Sequence, residues 1–174
     1  FEIKKTVTDS HGRFVIIELK VQEETYTLIK IYAYKKEYEN LITTFNPVDF
    51  DPDKWAGAAR DAGMKYVVFT TKHHDGFCMF DTQYTDYRIT HEGCLFSADP
   101  RANVTKEIFS AFREEGLWTG AYFSKPDWHS EYYWWPNFPT PDRNVNYSVN
   151  RYPDRWEDFV QFTHNQILEL LTDY

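Results

Sequence analysis

Hydrophobic and polar positions change rhythm along this chain. Phe14-Val15-Ile16-Ile17-Glu18-Leu19-Lys20-Val21 is rich in β-branched residues and alternates toward its end. A polar turn, Gln22-Glu23-Glu24, separates it from Thr25-Tyr26-Thr27-Leu28-Ile29-Lys30-Ile31-Tyr32, so residues 14–32 predict a β-hairpin. A charged run, Lys35 to Asn40, marks the change. Beyond it, Asp51-Pro52 offers an N-cap acceptor followed by proline at the first helical position. Trp55, Ala58, Ala59 and Ala62 then share a face, and Gly63 is placed to end the helix. Met64 to Thr71 is an apolar run suited to a buried strand. Asn103 can cap a second helix with Val104, Ile108, Ala111 and Phe112 on its apolar face, stopped by Gly116, and Leu117 to Phe123 is a second strand. A third helix starts near Asp154, with Trp156, Phe159, Val160, Thr163, Ile167, Leu170 and Leu171 at helical spacing. This alternation predicts an α/β fold with parallel βα units.

A closed (β/α)8 barrel takes ~250 residues, far more than the stretch from Lys35 onward. The reading is a partial TIM-type barrel of about two parallel strands and three helices, preceded by the hairpin. Residues 1–34 then form a head, and residues 35–174 the barrel part.

Composition narrows the functional classes. The 174 residues carry a net charge of −8, which disfavours a nucleic-acid surface, where clustered Lys and Arg are needed. No uninterrupted apolar stretch approaches the ~20 residues of a membrane span. Aromatic residues make up 19% of the chain, concentrated around Trp128 to Phe138. Cys78 and Cys94 are compatible with a disulfide in an oxidising compartment or with two ordinary thiols. The chain starts at Phe1 without the basic and apolar segments of a signal peptide.

Parallel α/β folds place functional groups past the carboxyl ends of the strands. Two segments qualify: Lys72-His73-His74-Asp75-Gly76-Phe77 and Ser124-Lys125-Pro126-Asp127-Trp128-His129. Imidazoles that bond hydroxyls and rings that cover an apolar sugar face suit a carbohydrate. Competing readings are a metal site completed by Asp75 and His129, acid–base chemistry by a histidine with Asp75, and plain loop histidines. Glycosidases need two carboxyls, and Asp75, Asp81, Asp86 and Asp127 occupy these loops, although aspartate is also a common turn residue. The stretch Tyr132-Tyr133-Trp134-Trp135-Pro136 reads either as a sugar platform or as a packed loop. Asn103-Val104-Thr105 and Asn146-Tyr147-Ser148 are glycosylation triplets, and Asn103 has a competing capping role.

From about Lys36 to Tyr174 the chain resembles the α-L-fucosidases of glycoside hydrolase family 29. The matching motifs are Phe45-Asn46-Pro47 with Trp55, Ala62-Gly63-Met64-Lys65-Tyr66-Val67-Val68, Thr71 to Phe77, Gly120-Ala121-Tyr122-Phe123-Ser124, Asp127-Trp128-His129, and Thr163-His164-Asn165-Gln166. The resemblance implies a barrel-type hydrolase that cleaves α-linked L-fucose from glycans or glycoconjugates with retention, and no metal or organic cofactor. It implies that His73 and His74 bond fucose hydroxyls, that Tyr122 is a binding tyrosine, and that Trp128 adds an aromatic wall. The family's nucleophile strand, carrying Trp-x-Asp, and its acid/base are expected beyond Tyr174, so no catalytic residue is assigned in this chain. The family's secreted, periplasmic or lysosomal setting is the implied location. A non-catalytic fucose-binding fragment, or a chimeric gene product, is the alternative. Gly12 to Ile17 with Tyr26 to Ala33 resembles a hairpin of endonuclease domains in retrotransposon-derived reverse transcriptase proteins, with Lys30 and Tyr34 where that family often has Asn and Pro. This implies a head of foreign origin.

Overall fold

A computed structural model describes the backbone of three strands within residues 1–34, and residues 35–140 and 143–174. They form two units, Phe1–Leu41 and Ile42–Tyr174. In the first, β1 (Glu2–Thr8), β2 (Phe14–Val21) and β3 (Glu24–Ile31) make an antiparallel sheet in the order β1-β2-β3. The predicted pair β2–β3 is present, running from Phe14 opposite Ile31 to Val21 opposite Glu24. The hairpin is extended by β1, whose hydropathy does not mark it as a strand because Lys4-Lys5 breaks the alternation of Glu2 to Thr8. The turn residues Gln22-Glu23, and Gly12, Arg13, Tyr32, Ala33 and Tyr34 of the head motif, lie outside the described residues. A short helix, α1 (Lys35–Glu39), follows.

The second unit carries the expected alternation. In α2 (Pro52–Asp61), the Asp51 carboxylate accepts the Lys54 N–H at 3.0 Å, and Gly63, with φ +74, takes the left-handed turn after the helix. Strand β4 (Tyr66–Lys72) leads through a long loop to α3 (Val104–Glu114), which is capped by Asn103 through the Lys106 N–H at 3.3 Å. Strand β5 (Trp118–Phe123) pairs parallel to β4, with Tyr66 opposite Trp118 and Thr70 opposite Tyr122. A second long loop ends in α4 (Pro153–Thr172).

Side chains of a strand alternate between faces, and here the faces have different fates. Val67 and Phe69 pack into a core built from Phe50, Ala56, Ala59, Ile108, Phe109, Phe112 and Leu117. On the other face Tyr66 is 66% exposed, Val68 56% and Trp118 80%. Two helical faces differ from their prediction. In α2 the buried residues are Pro52, Ala56 and Ala59, while Trp55 turns outward at its edge and meets Phe50 edge-on at 5.4 Å. In α4 the inward stripe is Phe159, Thr163, Gln166, Glu169 and Leu170, and Leu171 is 77% exposed. Two of its three polar members hold loops: Glu169 accepts from the Thr82 hydroxyl at 2.5 Å and the Gln83 N–H at 3.1 Å, and Gln166 meets Lys72.

Candidate functional site

Because β4 and β5 are parallel neighbours, the segments that leave their carboxyl ends emerge side by side. The Ser124 N–H donates to the Lys72 carbonyl at 3.0 Å, the Thr71 hydroxyl to the Tyr122 carbonyl at 2.9 Å, and the Trp128 N–H to the His74 carbonyl at 2.8 Å. The pairing register shifts between Thr70 and Lys72, immediately before the two histidines. Irregularities of this kind re-aim the side chains that follow.

The four residues implied as sugar-binding come together as a continuous run of rings. His73 and His74 lie 4.3 Å apart between ring centres, His73 stacks on Tyr122 at 5.9 Å, and His74 faces Trp128 at 5.4 Å. Trp128 in turn lies nearly parallel to Trp134, 5.0 Å away and inclined by 3°. His73 is exposed and His74 half-buried. The Nδ1 atom of His74 is hydrogen-bonded to the Ser124 hydroxyl. Burial holds the His74 imidazole below the ordinary histidine range, His73 and Arg143 push it the same way, and Asp75 opposes them. The run of rings forms an open ledge. Two concavities of about 380 and 390 Å³, the first between Phe138 and Tyr152 and the second around Phe45, Phe50, Trp55 and Met79, are lined by other residues.

Beneath the ledge is a polar knot that the sequence did not reveal. Lys72 is fully buried, and its ammonium donates to Asp127 at 2.9 Å and to the Gln166 side-chain oxygen at 3.1 Å, 4.2 Å from the centre of the Phe123 ring. The other oxygen of Asp127 accepts the N–H groups of His129 and Ser130 at 3.1 and 2.9 Å. Gly76 closes the knot. Its φ is +86, and a Cβ there would stand 2.3 Å from an Asp127 oxygen, so glycine is required on both counts. Asp127 is therefore a structural anchor between loops.

Two other loop acids have structural partners as well. Asp81 accepts from the Thr90 hydroxyl at 2.7 Å and pairs with Arg88 at 3.5 Å, and Asp86 pairs with Arg88 at 3.1 Å. Asp75 is half-buried close enough to His74 to act on its charge. His129 stacks on Tyr87 at 4.3 Å. Among the described residues, no three His, Cys, Asp or Glu side chains gather in a way that could hold a metal ion. Cys78 and Cys94 are both buried free thiols, and burial pushes the Cys78 thiol far up.

The aromatic loop divides its rings between the two readings. Tyr133 is buried against Phe159 at 4.9 Å, and Trp135 is gripped by Tyr152 edge-on at 5.0 Å and by the Arg155 guanidinium at 4.1 Å. Trp134, by contrast, backs Trp128 on the ledge. Asn146 staples the loop: its amide donates to the Trp135 and Phe138 carbonyls at 2.8 and 3.0 Å, and its oxygen accepts the Trp135 N–H at 2.8 Å.

Known proteins resemble this arrangement. A family model described as Alpha-L-fucosidase matches residues 10–174. Alpha-L-fucosidase 1 of Arabidopsis thaliana is 32% identical over 130 residues, which are 75% of this chain and 21% of that protein. Plasma alpha-L-fucosidase of Homo sapiens is 27% identical over 145 residues, 82% of this chain and 27% of that protein. Among solved structures, alpha-L-fucosidase isoenzyme 1 from Paenibacillus thiaminolyticus superposes with a TM-score of 0.62 at 39% identity, over 80% of this chain and 32% of its own. A family 29 alpha-L-fucosidase from Bacteroides thetaiotaomicron, solved as a trapped covalent intermediate with 2-fluoro-fucosyl fluoride, gives 0.62 at 32% identity, over 80% and 28%. The chain spans about a quarter of the length of the curated relatives it matches.

Proposed function

The chain belongs to the alpha-L-fucosidase family, and from that premise we propose that it holds the sugar-gripping part of a retaining fucosidase. In this reading β4 and β5 are neighbouring staves of a (β/α)8 barrel. His73 and His74 bond the hydroxyls of an α-linked L-fucose, and Tyr122 and Trp128 flank its ring. A neutral imidazole offers one donor and one acceptor nitrogen, which suits hydroxyls, and aromatic faces suit the apolar side of a pyranose. The observation that carries the reading is the unbroken run Tyr122–His73–His74–Trp128 at the carboxyl ends of two parallel strands.

Hydrolysis with retention needs two carboxyls about 5 Å apart. Asp127 is tied to Lys72, and Asp81 and Asp86 are tied to Arg88. In this reading residues 1–174 supply recognition, and no reacting carboxyl is assigned among them. The test is titration of the full chain with L-fucose by ligand-observed NMR, alongside turnover of an aryl α-L-fucoside. Expected are saturable fucose binding, a loss of about tenfold in His73→Ala and in His74→Ala, as one or two hydrogen bonds would give, and no aryl release. A folded chain that ignores fucose, or one that hydrolyses the fucoside, overturns the reading.

A further inference from the structure

We infer that Ser124 is a positioning residue that locks His74 as the tautomer with its proton on Nε2, so that His74 meets a ligand oxygen as a donor. Ser124 is the first residue after β5, 3% exposed, with its own N–H fixed on the Lys72 carbonyl at 3.0 Å. Among the described residues, the hydrogen-bond partner of its hydroxyl is Nδ1 of His74. A buried hydroxyl hydrogen without an acceptor is costly. A neutral imidazole has one bare nitrogen and one that carries hydrogen. If Nδ1 carried the proton, it would point at the serine oxygen and leave the serine hydrogen with no acceptor. With Nδ1 bare, the serine hydrogen is satisfied and the ring proton stands on Nε2.

The surroundings prevent escape from this arrangement. The His74 carbonyl holds the Trp128 N–H at 2.8 Å, and the ring lies between His73 at 4.3 Å and Trp128 at 5.4 Å, which opposes a flip. Burial and the neighbouring His73 and Arg143 push the ring's titration below the ordinary histidine range, and Asp75 opposes them. The consequence is directional. His74 donates, so its ligand atom must be an oxygen lone pair, and the adjacent exposed His73 is left to choose either role.

The tautomer stands on geometry alone, and only its use toward fucose rests on the proposed function. Long-range nitrogen–proton correlation NMR on the full chain, labelled at histidine and held above neutral pH without sugar, reads it directly. A protonated Nε2 is expected, and a protonated Nδ1 overturns the assignment. In Ser124→Ala the Nδ1 resonance should move toward that of an unbonded ring nitrogen, and L-fucose binding should weaken about three- to tenfold, the worth of one hydrogen bond. Ser124→Thr keeps the hydroxyl and should restore both. An unmoved Nδ1 resonance in a folded Ser124→Ala chain overturns the proposal. A wild-type chain with a protonated Nε2 but no fucose affinity supports the assignment and overturns the sugar reading instead.

Discussion

At the scale of single residues, His74 couples the ledge to pH. Its folded-state value lies below the ordinary imidazole value of about 6.5. As pH falls through that ordinary value, the unfolded chain takes up the proton first, so stability declines over the window down to the folded value; above the window His74 costs nothing. Denaturant melts at stepped pH should show this loss on mild acidification, and His74→Gln should flatten it. The His73–His74 pair was legible in the sequence because Lys-His-His-Asp-Gly-Phe follows an apolar run that ends a strand. Ser124, Lys72 and Gln166 were not. A serine or glutamine is ordinary in any loop or helix, and a buried lysine is recognisable only once its partners, 55 and 94 positions away, are brought to it.

At the scale of elements, the two strands and the helix limits were readable from local chemistry. Asp51 and Asn103 cap, Gly63 and Gly116 stop, and both glycines take positive φ. The inward faces were less readable where polar residues decide them. A hydropathy pattern favours Leu171 over Gln166 on α4, yet Gln166 is buried because Lys72 needs an acceptor. The Lys72–Asp127 pair joins the ends of β4 and β5 to α4. Removing one partner strands the other charge without water. Lys72→Met should therefore destabilise the chain by about 3–5 kcal/mol, while Lys72→Met with Asp127→Asn should recover part of that loss. A double-mutant cycle from chemical denaturation measures it. A loss in the double variant equal to the sum of the losses in Lys72→Met and Asp127→Asn alone would show that the pair is not coupled.

At the scale of the whole molecule, the outward face of the β4–β5 sheet is the notable surface. Tyr66, Val68 and Trp118 present apolar area beside strands whose edges can accept further pairing. We expect concentration-dependent association in sedimentation velocity, reduced in Trp118→Thr with Tyr66→Thr, with little cost in melting because both side chains are already exposed. A strictly monomeric wild type would contradict this. The Asn146 staple carries a consequence for biogenesis. Its triplet, Asn146-Tyr147-Ser148, is open to an oligosaccharyltransferase only on a nascent chain, since afterwards both amide hydrogens are spent on carbonyls of the aromatic loop. In a glycosylating compartment, this asparagine keeps either its full staple or an oligosaccharide that replaces one amide hydrogen and removes one of the loop's three bonds. The order in which enzyme and fold reach it decides which one the mature molecule keeps.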